Sequence, residues 1–108
     1  MIQKKNGIDN SHLAYYNVNM VRYLEDILKQ IKKGQIPKEV FGHFSNAFES
    51  LDLTKDLDLF DIKKLKENSE RDYFRLRKGK YRAIFYIEGE DIYVVALDKR
   101  EDVYKKWQ

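Results

Sequence analysis

The spacing of apolar positions changes along the chain and predicts its elements. Residues 13–18 are aromatic and follow turn-forming residues, which predicts a strand. From Val21 to Ile31 the apolar residues fall three or four apart, so we expect an amphipathic helix that ends near Gly34. A second helix is expected after Pro37, because one helical face there is apolar. Its apolar residues are Val40, Phe41, Phe44, Ala47, Phe48 and Leu51. A linker of about four residues would make the two helices an antiparallel hairpin.

Beyond residue 60 the period of the apolar positions shifts toward two, which is the period of β-strands. The predicted strand segments are 60–66, 72–78, 80–88 and 91–98. Two-residue turns at Lys78-Gly79 and Gly89-Glu90 would join the last three segments. The predicted fold class is therefore α+β. It has an N-terminal strand, an antiparallel helix hairpin and then a three- to four-stranded antiparallel meander, with the helices on one sheet face.

Length and composition bound the class of protein. A chain of 108 residues is long enough for one core, and we expect a polar leader over residues 1–11 and a single domain over 12–108. No apolar run approaches the roughly 20 residues that span a bilayer, and the N-terminus lacks the apolar block of a signal peptide. With no cysteine in the chain, a cytoplasmic location is the simplest expectation. His12 and His43 are isolated in sequence, so no metal and no cofactor are expected.

Positive charge is concentrated in the predicted hairpin of residues 74–86, although the whole chain carries a net charge of only +3. A turn at Lys78-Gly79 predicts that Arg75 lies opposite Arg82 and Phe74 opposite Ala83. One sheet face would then be apolar. Its residues would be Phe74, Leu76, Ala83, Phe85, Ile87, Ile92, Val94 and Ala96.

The other face of the predicted sheet would be mixed. Its residues would be Tyr73, Arg75, Arg77, Arg82, Ile84, Tyr86, Tyr93, Val95 and Leu97. Like charges that lie directly opposite each other are unfavourable, and a bound phosphate would relieve them. Alternating basic residues also keep an exposed sheet face soluble, and the pattern alone leaves both interpretations open.

The segment "KKLKENSERDYFRLRKGKYRAIFYIEGEDIYVVALDKREDVY", residues 63–104, resembles the C-terminal half of toxins of the RelE/ParE superfamily. The shared features are the aromatic-led "YFRLR", "YRAIFYI" after a short turn, an acidic-glycine turn and the final "KREDVY". The resemblance implies a small toxin that binds a cognate antitoxin. RelE-like members cut mRNA on the ribosome, whereas ParE-like members inhibit DNA gyrase. A catalytically weak homologue that acts as a binding module is a further alternative.

The RelE-like alternative implies a site of cations and a tyrosine instead of paired histidines. By resemblance, the catalytic residues would be Arg75, Arg82, Arg100 and Tyr104, and the residues that bind substrate would be Tyr73, Arg77, Lys80 and Lys99. Arg75 and Arg82 would hold the scissile phosphate while a ribose 2′-hydroxyl attacks it without a metal. Arginine is a poor general base, since its pKa exceeds about 12. Lys99, Tyr73 and Tyr104 all remain candidates for that role.

Overall fold

A computed structural model describes residues 3–4, 15–18, 20–65 and 71–100 of the chain. The strands are β1 Gln3–Lys4, β2 Tyr15–Val18, β3 Val21–Leu24, β4 Ile62–Lys64, β5 Phe74–Lys78, β6 Tyr81–Glu88 and β7 Asp91–Asp98. The helices are α1 Glu25–Lys32 and α2 Lys38–Thr54, followed by a short 3₁₀ helix at Leu57–Leu59. The expected α+β class is confirmed. Neither α-helix is long and apolar enough, within these residues, to cross a membrane.

All seven strands belong to one mixed sheet in the order β1-β2-β3-β7-β6-β5-β4. The four C-terminal strands pair antiparallel with their neighbours in sequence. In contrast, β3 runs parallel to β7, with Val21 opposite Ile92 and Tyr23 opposite Val94. Gln3–Lys4, which lie in the expected polar leader, pair with residues 16–17 of β2.

The expectation of one helix from Val21 to Ile31 is wrong in its first turn. Val21–Leu24 form β3 between β2 and β7, and the helix begins at Glu25. Val21 and Tyr23 are buried whereas Arg22 and Leu24 are half-buried, which is the alternation of a strand. The backbone hydrogen-bonding groups of β3 find partners in β7, which lies about 70 residues away in sequence. Local periodicity carries no information about such a distant partner.

The two helices cover one face of the sheet, which we call the helix-covered face. Acidic residues in the first turn of α1 and lysines in its last turn suit the helix dipole. The predicted apolar face of α2 is confirmed, since Phe44, Ala47, Phe48 and Leu51 are buried. The Phe48 ring meets the Phe85 ring of β6 edge-on, with centroids 5.1 Å apart. This contact joins α2 to the centre of the sheet.

The predicted register of the first hairpin is wrong by two residues. The turn is Gly79-Lys80, so Lys78 pairs with Tyr81, Arg77 with Arg82 and Phe74 with Phe85. Gly79 takes a φ of 62° at the first central position of the turn. Glycine is favoured there because a positive φ strains any residue with a Cβ.

The expected pairing of Phe85 with Val94 is present in the second hairpin, where the turn begins with Gly89. Between Ile84 and Phe85 the register slips, and Ile84 pairs with Ala96. This β-bulge at Val95 changes which side chains face inward beyond it. Leu97, not Ala96, therefore packs in the core beneath the helices, which corrects the expected faces of both residues.

Candidate functional site

The face of the sheet that the helices do not cover, here called the outer face, carries three arginines on adjacent strands. Arg75 and Arg77 lie on β5, and Arg82 lies on β6 directly opposite Arg77. Because the hairpin register differs by an even number of residues from the expected one, the arginines remain on the same face. Arg75 pairs with Ile84 and is a diagonal neighbour of Arg82, a relationship that typically separates Cα atoms by roughly 7–8 Å.

A carboxylate that sequence reasoning missed bridges the two arginines of β5. Asp61 Oδ1 accepts a hydrogen bond of 3.1 Å from Arg75 Nη2, and Asp61 Oδ2 accepts one of 2.8 Å from Arg77 Nε. The Arg77 amide also donates to the Asp61 carbonyl at 3.0 Å. The hydrogen bond from Arg77 and the positive charges nearby hold the pKa of Asp61 below its usual value. The β4–β5 register, in which Ile62 pairs with Leu76, brings Asp61 opposite Arg77.

Arg75 is largely enclosed, with a side chain that is 11% exposed. Its Nε is buried and has no hydrogen-bond partner among the residues that the structure describes. Buried polar groups usually have partners, so a donor of this kind is notable.

The chain just after β7 places two further predicted site residues, Lys99 and Arg100, at the same end of the sheet as Arg82. Arg82 Nη1 donates a hydrogen bond of 2.9 Å to the Lys99 carbonyl. Asp98 lies opposite Arg82 in the β6–β7 ladder, and it accepts from Arg100 twice, at 3.1 Å from the backbone amide and at 3.0 Å from Nη2. Partial burial of Asp98 favours its neutral form and so raises its pKa. The hydrogen bonds from Arg100 and Lys99 outweigh this effect, and the pKa of Asp98 is lowered.

We call this group the basic cluster. It consists of Arg75, Arg77, Arg82, Lys99 and Arg100. Asp61 contacts Arg75 and Arg77, and Asp98 contacts Arg100. The five cations and these two carboxylates lie at the end of the outer face where the β5–β6 turn lies, so positive charges outnumber negative ones within this group.

Two of the residues expected to bind substrate lie elsewhere. Tyr73 is four residues before Arg77, a distance of roughly 13 Å along an extended chain. Its ring meets the Tyr86 ring edge-on at 5.7 Å. Lys80 is exposed in the turn and lines a cavity with His43 of α2, on the helix-covered side. Tyr104, expected to be catalytic, lies outside the described residues.

The far end of the outer face is aromatic. Tyr86 and Tyr93 stack in parallel with centroids 4.8 Å apart, and the Arg71 guanidinium lies 4.2 Å from the Tyr86 centroid. Arg22 lies 5.7 Å from the Tyr93 centroid and donates to Asp91 Oδ2 at 2.9 Å. Between the two ends, Ile84 and Val95 belong to a buried apolar cluster. The outer face thus has a basic end, an apolar centre and an aromatic end.

Metal ligation has no support in the described part of the chain, where no three His, Cys, Asp or Glu side chains come together in a way that could hold an ion. His43 is exposed on α2, and His12 lies outside the described residues.

No protein-family model matches the chain, and neither the curated proteins nor the solved structures contain a significantly similar one. Its function must be inferred from the geometry of its own residues.

Proposed function

We propose that this chain is the toxin of a type II toxin–antitoxin pair, a RelE-like endoribonuclease that cuts mRNA on the ribosome. The observation that carries the proposal is the pairing of Arg77 and Arg82 directly across two strands. Two guanidinium groups held this way repel each other, and a phosphate between them would remove the repulsion. The resemblance of residues 63–104 to RelE/ParE toxins supports the same class of protein.

The proposed reaction is an internal transfer at one phosphodiester of the RNA. The ribose 2′-oxygen attacks the phosphorus while its proton passes to a base, and the bond from phosphorus to the 5′-oxygen breaks. The leaving oxygen takes up a proton, so the products are a 2′,3′-cyclic phosphate and a free 5′-hydroxyl. Charge builds up on the phosphate oxygens in the transition state, which is where fixed cations lower the barrier.

The described residues suit separate parts of this reaction. Arg82 and Arg77 would hold the nonbridging oxygens, and Arg75 is the next outward-facing residue of β5. Arg100, fixed by Asp98, would stabilise the leaving oxygen. Of the three candidates for the base, Lys99 is the one whose backbone contacts Arg82, and Tyr73 lies at the other end of the face.

The proposed partners are the ribosome, mRNA and a cognate antitoxin protein, and the proposed location is the cytoplasm. Inhibition of DNA gyrase, which the resemblance also implies, would need a protein-binding surface but no site for a scissile phosphate. The basic cluster therefore favours RNA cleavage as the activity to test first.

The test is a toeprint assay on programmed ribosomes, with analysis of the RNA ends. We expect the wild-type chain to produce 5′-hydroxyl ends and the Arg82→Ala variant to cut about 100-fold more slowly, as when one transition-state donor is removed. Arg71→Ala is the matched control, because it removes an arginine from the aromatic end of the same face. Equal cleavage by wild type and Arg82→Ala would reject the site. Inhibition of gyrase supercoiling with no RNA cleavage would reject the activity.

A further inference from the structure

A cavity of about 280 Å³ lies beside the basic cluster, between the end of α1 and the end of β7. We call it the glutamine cavity, because Gln30 and Gln35 line it. Lys99 and Arg100 of the basic cluster line its other side. The cavity lies on the helix-covered side of the end of β7, Arg82 lies on the outer side, and Lys99 connects the two because it lines the cavity while its carbonyl accepts the hydrogen bond from Arg82.

The turn that ends α1 brings the two glutamines together. Gly34 takes a φ of 79°, and the chain folds back so that the Gln35 amide donates to the Gln30 carbonyl at 2.9 Å. The next amide, of Ile36, donates to the same carbonyl at 3.3 Å. Glycine is suited to this left-handed position, which closes the helix end. These hydrogen bonds fix the backbone positions of the two glutamines relative to each other.

The other walls of the cavity combine aromatic and apolar surface. Tyr81 contributes a half-buried ring, and Ile36 and Leu97 are 3% and 2% exposed. A ligand with a flat ring and polar edges would match such walls, since the ring can pack against them while its edges meet the carboxamides. Within the part of the chain that the structure describes, the side chains of Gln30 and Gln35 form no hydrogen bond, so their donors and acceptors are available to a ligand.

We propose that the glutamine cavity binds one nucleobase of the RNA next to the phosphate held by Arg82 and Arg100. Adenine is the base that fits best, because a glutamine carboxamide can accept from its N6 amino group while donating to N7. This inference rests on the proposed function for its biological role, but binding of a nucleotide can be measured without it. Gln30 and Gln35 would then determine which sequence is cut.

The first experiment is a titration of the 15N-labelled chain with adenosine 3′-monophosphate and cytidine 3′-monophosphate, followed by NMR. We expect the side-chain amide signals of Gln30 and Gln35 to shift with the adenosine nucleotide, and the affinity to fall about tenfold in a Gln30→Ala/Gln35→Ala variant. Asn46→Ala removes an exposed carboxamide from α2 and should leave the affinity unchanged. Unshifted glutamine signals, or equal affinity in the double variant, would overturn the proposal.

A second experiment separates this inference from the proposed function. The nucleotides flanking each cut are mapped for wild type, for the double variant and for Gln30→Glu, which keeps the side-chain size but removes the donor. We expect the preference for adenine among the cuts that are made to fall about tenfold in both variants. Cleavage with an unchanged sequence preference would reject the base site and leave the nuclease intact. If no RNA is cut, the proposed function is rejected, and the nucleotide titration alone tests whether the cavity binds adenine.

Discussion

Arg77 of β5 lies directly opposite Arg82 of β6 in the outer face of the sheet. Each arginine also has a second interaction, since Arg77 donates to Asp61 and Arg82 donates to the Lys99 carbonyl. These contacts hold the two arginines on neighbouring strands of the free protein. The arrangement has consequences that can be measured without any RNA.

The interaction between Arg77 and Arg82 should be unfavourable in the free protein. In a double-mutant cycle with Arg77→Gln and Arg82→Gln, we expect a repulsive coupling of about 0.2–1 kcal/mol at low salt. The coupling should shrink in 0.5 M salt, where charges are screened. Urea unfolding of the four proteins measures it. A coupling of zero or of the opposite sign at low salt would show that the two guanidinium groups do not repel.

Asp61 should limit the affinity of the basic cluster for RNA. Replacing it by asparagine removes the negative charge between Arg75 and Arg77, so we expect Asp61→Asn to bind single-stranded RNA about threefold more tightly at low salt. The gain should disappear at high salt. Filter binding at two salt concentrations measures it.

The control for Asp61 is Asp72→Asn. Asp72 also pairs with a cation, since it lies 3.5 Å from Lys64 Nζ, but it stands at the other end of β5. An equal gain in both variants would mean that net charge, and not the site, controls the affinity.

Acid should weaken the fold partly through Asp98. Its pKa is lower in the folded chain than in the unfolded chain, so the unfolded chain takes up a proton first as the pH falls. The free energy of unfolding should therefore be unaffected well above pH 4 and decrease as the pH falls below about 4, by less than about 1 kcal/mol for this partly exposed group. In the Asp98→Asn variant, the free energy of unfolding should lack the part of this decrease that comes from Asp98. Urea unfolding between pH 6 and pH 2.5 tests this, with exposed Asp58→Asn as the comparison.

Two glycine substitutions should change stability in opposite directions. A Cβ added at Gly42 in α2 or at Gly79 in the hairpin turn would meet nothing within 4 Å, so space does not distinguish the two positions. Gly42 is helical, and Gly42→Ala should stabilise the fold by up to about 1 kcal/mol. Gly79 has a φ of 62°, and Gly79→Ala should destabilise it by about 1–2 kcal/mol. Thermal unfolding compares them, and a shift of the same sign for both would contradict the role of φ.

The register of the hairpins shows how far sequence reasoning extends. The predicted turn at Gly89-Glu90 matches the structure because the glycine comes first, at the position that needs a positive φ. The same rule, applied to residues 78–80, selects Gly79-Lys80 and gives the observed pairing of Arg77 with Arg82. The register of this hairpin is therefore encoded locally by its glycine, whereas the bulge at Val95 is not encoded locally, because no residue type there requires it.

The parallel pairing of β3 with β7 marks the limit of local patterns. "VRYL" continues the helical spacing of α1, and only the distant partner makes it a strand. Asp61 and the glutamine cavity depend in the same way on contacts between segments that are far apart in sequence. Sequence spacing alone does not reveal such contacts.

The sequence by itself determined the α+β class, the buried face of α2, the strands of the C-terminal half and the placement of basic residues on one sheet face. These features depend on side-chain periods of 3.6 and 2, which the chain carries locally. Only the tertiary structure decided which arginines are neighbours, which carboxylates hold them and where α1 begins. Those outcomes depend on strand register and on pairing across the sheet, where a shift of one or two residues exchanges the partners of every side chain.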